Sequence, residues 1–172
     1  MMHLSLKKRT TAICAGAILL IAAGVGLWFW SISSEAARHR ADPDDTRLVA
    51  HGATIYRQHC AACHGAKLEG QPNWRERKPD GKSPAPPHDE NGHTWHHGDE
   101  LLFRLTKRGV QLPLAPDGYR SDMPAFDGIL TDAQIWAALA FIKSKWPPEI
   151  RQHQERINEA LRQRQREREN GK

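Results

Sequence analysis

Five consecutive residues, Cys60-Ala61-Ala62-Cys63-His64, concentrate the chemistry of this chain. They set two thiols three positions apart, with an imidazole immediately after. C-x-x-C-H is the attachment signature of a c-type haem. The thiols add to the two vinyl groups of one porphyrin, and the next residue offers its imidazole to the iron as proximal ligand. Cys60 and Cys63 are therefore the candidate covalent attachment points, and His64 is the candidate axial ligand. Other uses of the pair fit less well. A zinc ribbon wants a second C-x-x-C, and the remaining cysteine, Cys14, lies alone in an N-terminal apolar run. A thioredoxin-like dithiol wants strand-like runs on both sides, and neither flank reads as a strand.

The iron's sixth position has one thioether candidate. Of three methionines, two are Met1 and Met2, which leaves Met123 in Ser121-Asp122-Met123-Pro124-Ala125-Phe126. His/Met ligation raises the reduction potential and suits electron transfer. Pro124 fixes its own φ and restricts Met123, which helps to hold the sulfur. The rivals are His88, His93, His96 and His97, any of which would give a lower-potential bis-His site. His93-x-x-His96-His97 could also hold copper or zinc, although solvent-facing polar residues are the plainer reading. Trp74 and Trp95 could each donate an indole N–H to a haem propionate. Arg104 and Arg120 could neutralise the propionates.

The elements that position these groups follow from pattern. Residues 11–32 form an uncharged, mostly apolar run of 22, about the length that crosses a bilayer. Lys7, Lys8 and Arg9 precede it and Trp28, Phe29 and Trp30 close it, so the N-terminus is expected in the cytoplasm and the rest of the chain outside. A cleavable signal peptide has an apolar region of only about 7–15 residues, so an uncleaved anchor is expected. Cys14 lacks the aliphatic residue three positions earlier that a lipidation box needs. The net charge is +5, of which the three N-terminal cations supply +3, leaving +2 on residues 35–172. Two propionates would bring that part near neutrality, and no nucleic-acid footprint is indicated.

Leu48, Gly52, Ile55, Tyr56 and His59 recur at helical spacing, which predicts a helix over 46–59 running into the haem motif. Gly52 in mid-helix is unfavourable by about 1 kcal/mol against Ala, and a close helix crossing would account for it. Residues 65–97 are rich in Pro, Gly and polar side chains, a loop that can wrap a porphyrin. Asp99–Arg108 reads as a helix with acids in its first turn, bases in its last, and Gly109 as cap. Thr131–Trp146 is the best-marked helix: Thr131 and Gln134 form a capping box, Leu130 and Ile135 a staple, and Pro147-Pro148 a stop. Residues 149–172 read as a solvated charged helix with a frayed end. The expected organisation is an anchor over 1–34, a linker over 35–45, a haem domain over 46–147 and a charged tail over 148–172.

Three segments together resemble the class I cytochromes c, in particular the small membrane-anchored, single-haem bacterial type. They are Gly52-x3-Tyr56-x3-Cys60-x2-Cys63-His64-Gly65, Asp122-Met123-Pro124-Ala125-Phe126, and Leu130-Thr131-Asp132-Ala133-Gln134-Ile135 leading to Phe141-Ile142. The resemblance implies an all-α fold of three to four helices around one covalent haem c. The long 65–97 loop and the charged tail depart from the family; the N-terminal transmembrane helix and the charged C-terminal helix are expected outside that domain. The resemblance also implies that the 46–59 and 131–146 helices cross near Gly52 and Phe141, and that His64 and Met123 are the axial ligands. In this family a proline carbonyl after the motif often orients the proximal imidazole; Pro72, Pro84 and Pro86 are candidates.

The expected function is a one-electron carrier rather than an enzyme. It would be tethered by residues 11–32 to the lipid of a bacterial inner membrane, with the haem domain periplasmic, and would serve membrane-bound redox partners of the respiratory chain. Alternatives are a haem subunit of a larger dehydrogenase or oxidase, a haem or copper-handling protein using His93, His96 and His97, and a haem enzyme with an open iron site.

Overall fold

The computed structural model describes residues 24–26, 41–110 and 117–171. The expected transmembrane helix at 11–32 lies outside them, except that Gly24, Val25 and Gly26 are helical. Among the described residues no helix is long and apolar enough to cross a membrane. The chain divides into two units, 1–40 and 41–172, and the second holds the C-x-x-C-H motif.

That second unit is all-α, with helices α1 (Thr46–His59), α2 (Ala61–His64), α3 (Asp99–Arg108), α4 (Asp132–Ser144) and α5 (Pro148–Asn170) and a 3-10 turn at Thr94–His96. Among the described residues no strand forms; one isolated bridge joins Ser83 and Ser121. Asp45 starts α1 by accepting from the Arg47 and Leu48 backbone N–H groups. Such a cap satisfies donors that have no partner inside a helix. Thr131 and Gln134 form the expected capping box of α4. The helix ends two residues before the expected Trp146, and the chain tightens into a turn in which Trp146 N–H donates to the Lys143 carbonyl at 3.1 Å.

The core lies where α1 crosses α4. A Cβ built on Gly52 would stand 1.9 Å from the Ala137 carbonyl oxygen and 3.0 Å from Phe141 Cβ. Only a residue without a side chain lets the backbones approach this closely. Ile135, Ala137 and Ala140 are fully buried there. Trp136 stacks on Phe103 of α3 with ring centres 4.4 Å apart.

The charged tail differs from the solvated helix expected of it. The first half of α5 docks on the domain through polar side chains: Gln154 and Asn158 are buried. Asp99 is the hub, accepting from Lys143 at 2.7 Å, Gln154 at 2.6 Å and Asn158 at 3.0 Å. Ile150 also packs at the edge of the core, but the buried groups of the docking face are amides, which a pattern of apolar residues does not mark.

Candidate functional site

Cys60 is the hinge between α1 and α2. Its carbonyl accepts from Cys63 N–H at 3.1 Å and His64 N–H at 2.9 Å, so the motif is itself a helical turn. Residues three apart on such a turn share a side, and Cys60 and Cys63 meet that condition. Both thiols are free; Cys60 is partly buried and Cys63 exposed. Burial, with the neighbouring Cys63, pushes the Cys60 thiol up to about 11. A redox dithiol needs the opposite, a thiolate favoured near neutral pH.

His64 is buried, and its Nδ1 lies 2.8 Å from the Pro86 carbonyl. An acceptor there makes Nδ1 the protonated nitrogen and leaves the lone pair on Nε2. Burial lowers the His64 pKa, while the Pro86 bond raises it, with a net downward shift. The ring is therefore neutral at neutral pH, the form a metal requires. Tyr56 steadies the same turn by donating to the Gly65 carbonyl at 2.8 Å.

His64 opens onto a cavity of about 550 Å³ whose wall includes Cys60, Cys63 and Met123. The structure thus brings all four expected site residues to one cavity, of a size usual for a bound small molecule or cofactor. Leu101, Leu102 and Leu105 of α3 and Ile135, Leu139 and Ile142 of α4 supply its apolar wall. A smaller hollow of about 310 Å³, bounded by Trp74, Arg75 and Pro84, adjoins it and shares Ser83, Pro86, His93 and Tyr119. Two free thiols, a neutral imidazole with one nitrogen engaged, and a thioether around an apolar chamber are the donor set that fits haem c.

The rival ligands fare differently. His88 stacks on the ring of His64, centres 4.0 Å apart and planes 20° from parallel. Two imidazoles in ring contact leave no room for an iron between them, so His88 does not face His64 across the cavity. Its Nδ1 pairs with Thr94 Oγ1 at 2.8 Å, and desolvation holds its pKa well below the usual range. His93 and His97 line the cavity and His96 does not. The copper or zinc triad weighed as an alternative does not form. Among the described residues no three His, Cys, Asp or Glu side chains gather to hold a metal ion. The rings are committed to other aromatics: His93 stacks on Trp74, and His96 stacks on Trp95.

The propionate partners expected from sequence are also redistributed. The Trp95 indole N–H donates to the Glu90 carbonyl at 3.3 Å, and Arg120 donates to the Asp80 carbonyl at 3.2 Å. Neither lines the cavity, nor does Arg104. Lys78, Gln71 and Tyr119 do, and no motif or periodicity marked them.

The family model for cytochrome c matches residues 49–146 of this chain. A Cbb3-type cytochrome c oxidase subunit FixP of Rhizobium etli is 27% identical over 105 residues, which are 59% of this chain. Those residues are 32% of that relative, so the chain spans about a third of its length. No solved structure matches.

Proposed function

The chain belongs to the cytochrome c family, whose members transfer electrons through haem, and from that premise we propose a membrane-tethered carrier of single electrons with one covalent haem c. The observation that carries the proposal is the single cavity walled at once by Cys60, Cys63, His64 and Met123. When bound there, the haem supplies a reversible one-electron change at its iron. Cys60 and Cys63 would hold the porphyrin, and His64 and Met123 would ligate its iron.

The protein's own part is to hold and to shield. The Pro86 carbonyl fixes the His64 tautomer and ring plane. The leucines of α3 and the α4 face exclude water, which together with a thioether ligand favours a high potential. Cys63 is exposed, so the attachment edge of the cavity faces solvent, where an electron can pass to a partner. With both residues ligating, no substrate would need to bind the iron, and the chain would act as a carrier. The apolar run at 11–32, with cations before it and aromatics at its end, supports a tether with the haem domain periplasmic.

A second reading is a haem subunit of a membrane oxidase. The similarity to a protein described as a cbb3-type oxidase subunit favours it.

The optical spectrum of the ferric protein tests the ligand set. A weak far-red thioether-to-iron band is expected in native protein and should vanish in Met123→Ala. A spectrum unchanged by that substitution would remove Met123 from the iron.

A further inference from the structure

The loop carrying Met123 is joined to the loop that follows the haem motif by ion pairs together with hydrogen bonds to backbone carbonyls. Asp122 precedes Met123, and its carboxylate meets two ammonium groups of segment 77–83. Lys78 Nζ lies 3.6 Å away, and Lys82 Nζ donates to it directly. Bonds to backbone carbonyls flank the pair. Ser83 N–H donates to the Arg120 carbonyl at 2.8 Å, Arg77 to the Gly118 carbonyl at 3.0 Å, and Arg120 to the Asp80 carbonyl at 3.2 Å.

The far side of the same loop is fixed in another way. Phe126 N–H donates to the Thr106 carbonyl at 3.2 Å and Asp127 N–H to the Lys107 carbonyl at 2.9 Å, pinning it to the end of α3. Met123 therefore stands between a backbone attachment, which salt barely affects, and a clasp in which ion pairs reinforce the Ser83–Arg120 backbone bond. The clasp is exposed: the Asp122 side chain is 53% accessible. Exposed pairs each shift an equilibrium by only a few-fold. They weaken further as salt shortens the screening length to about 3 Å at 1 M.

We propose that Asp122 is a positioning residue: held by Lys78 and Lys82, it keeps Met123 over the cavity and so sets how readily a small external ligand reaches the iron. The proposal rests on the His64/Met123 ligand assignment. It gives the 77–83 segment a part in gating the site, beyond wrapping the porphyrin.

Imidazole titration of the ferric full-length protein at pH 8, followed optically, tests it. Imidazole is largely uncharged at that pH, so salt acts on the protein rather than on the approach of the probe. Asp122→Asn should bind imidazole about threefold to tenfold more tightly than native protein at low salt. Adding 1 M sodium chloride should tighten binding to native protein and leave the variant nearly unchanged. Asp122→Glu should restore native affinity, and Lys82→Gln should weaken the clasp from the other loop. Native affinity and native salt response in Asp122→Asn, with the Met123-dependent far-red band present in native protein, would overturn the clasp alone. Absence of that band from native protein would overturn the ligand assignment and the clasp with it.

Discussion

One backbone carbonyl decides how His64 is used. The sequence offers Pro72, Pro84 and Pro86 as candidate partners for the imidazole, and the fold selects Pro86, at 2.8 Å from Nδ1. The choice depends on the path of the 65–97 loop, which spacing does not encode. Part of that path is set at Leu68, buried with φ at +71°, a conformation unusual for leucine. The Leu68 carbonyl accepts from His88 N–H at 2.8 Å, which helps to lay the second imidazole on the first. Gly52 shows the reverse case, a residue whose role the sequence does suggest. Its neighbour across the crossing is a backbone carbonyl that cannot turn aside. Gly52→Ala should therefore destabilise the domain by about 1–3 kcal/mol or more, as overpacking does. Thermal unfolding of the two proteins measures it, and equal midpoints would refute the close crossing.

Among the elements, α1, α3 and α4 form nearly where periodicity and capping place them, since their apolar stripes and end signals are local. The Thr131–Gln134 box and the Asp99/Glu100 start of α3 are of that kind. The tail is the exception. Its charged sequence forms α5, but Asp99 recruits Gln154 and Asn158 to the domain while also pairing with the buried Lys143. Removing one partner of such a pair leaves the other uncompensated, so Asp99→Ala should lower stability by roughly 3 kcal/mol. Denaturant unfolding would show it, and hydrogen exchange should quicken along the base of α5. A loss below about 1 kcal/mol would mean that water replaces the carboxylate easily. Because Leu101, Leu102 and Leu105 of α3 wall the cavity, the same substitution should loosen the haem environment.

Across the molecule, residues 41–172 make one compact unit that includes the tail. A fragment of those residues, exported behind a cleavable signal, should be soluble, unfold cooperatively and gain the mass of one haem, while the full chain partitions with membranes. Mass spectrometry and fractionation read both; a fragment without bound haem would deny that this unit is sufficient for attachment. The helices, the haem motif, the lone internal Met123 and the all-α class are legible in the chain before it folds. They follow from local preference and from residue types whose chemistry admits few uses. Folding was needed to show that Pro86 orients His64 and that His88 stacks beside it rather than facing it. Folding also stacks His93 and His96 on tryptophans, and docks a polar helix at Asp99. Each of these depends on groups distant in sequence and on directional bonds between them, which neither composition nor periodicity carries.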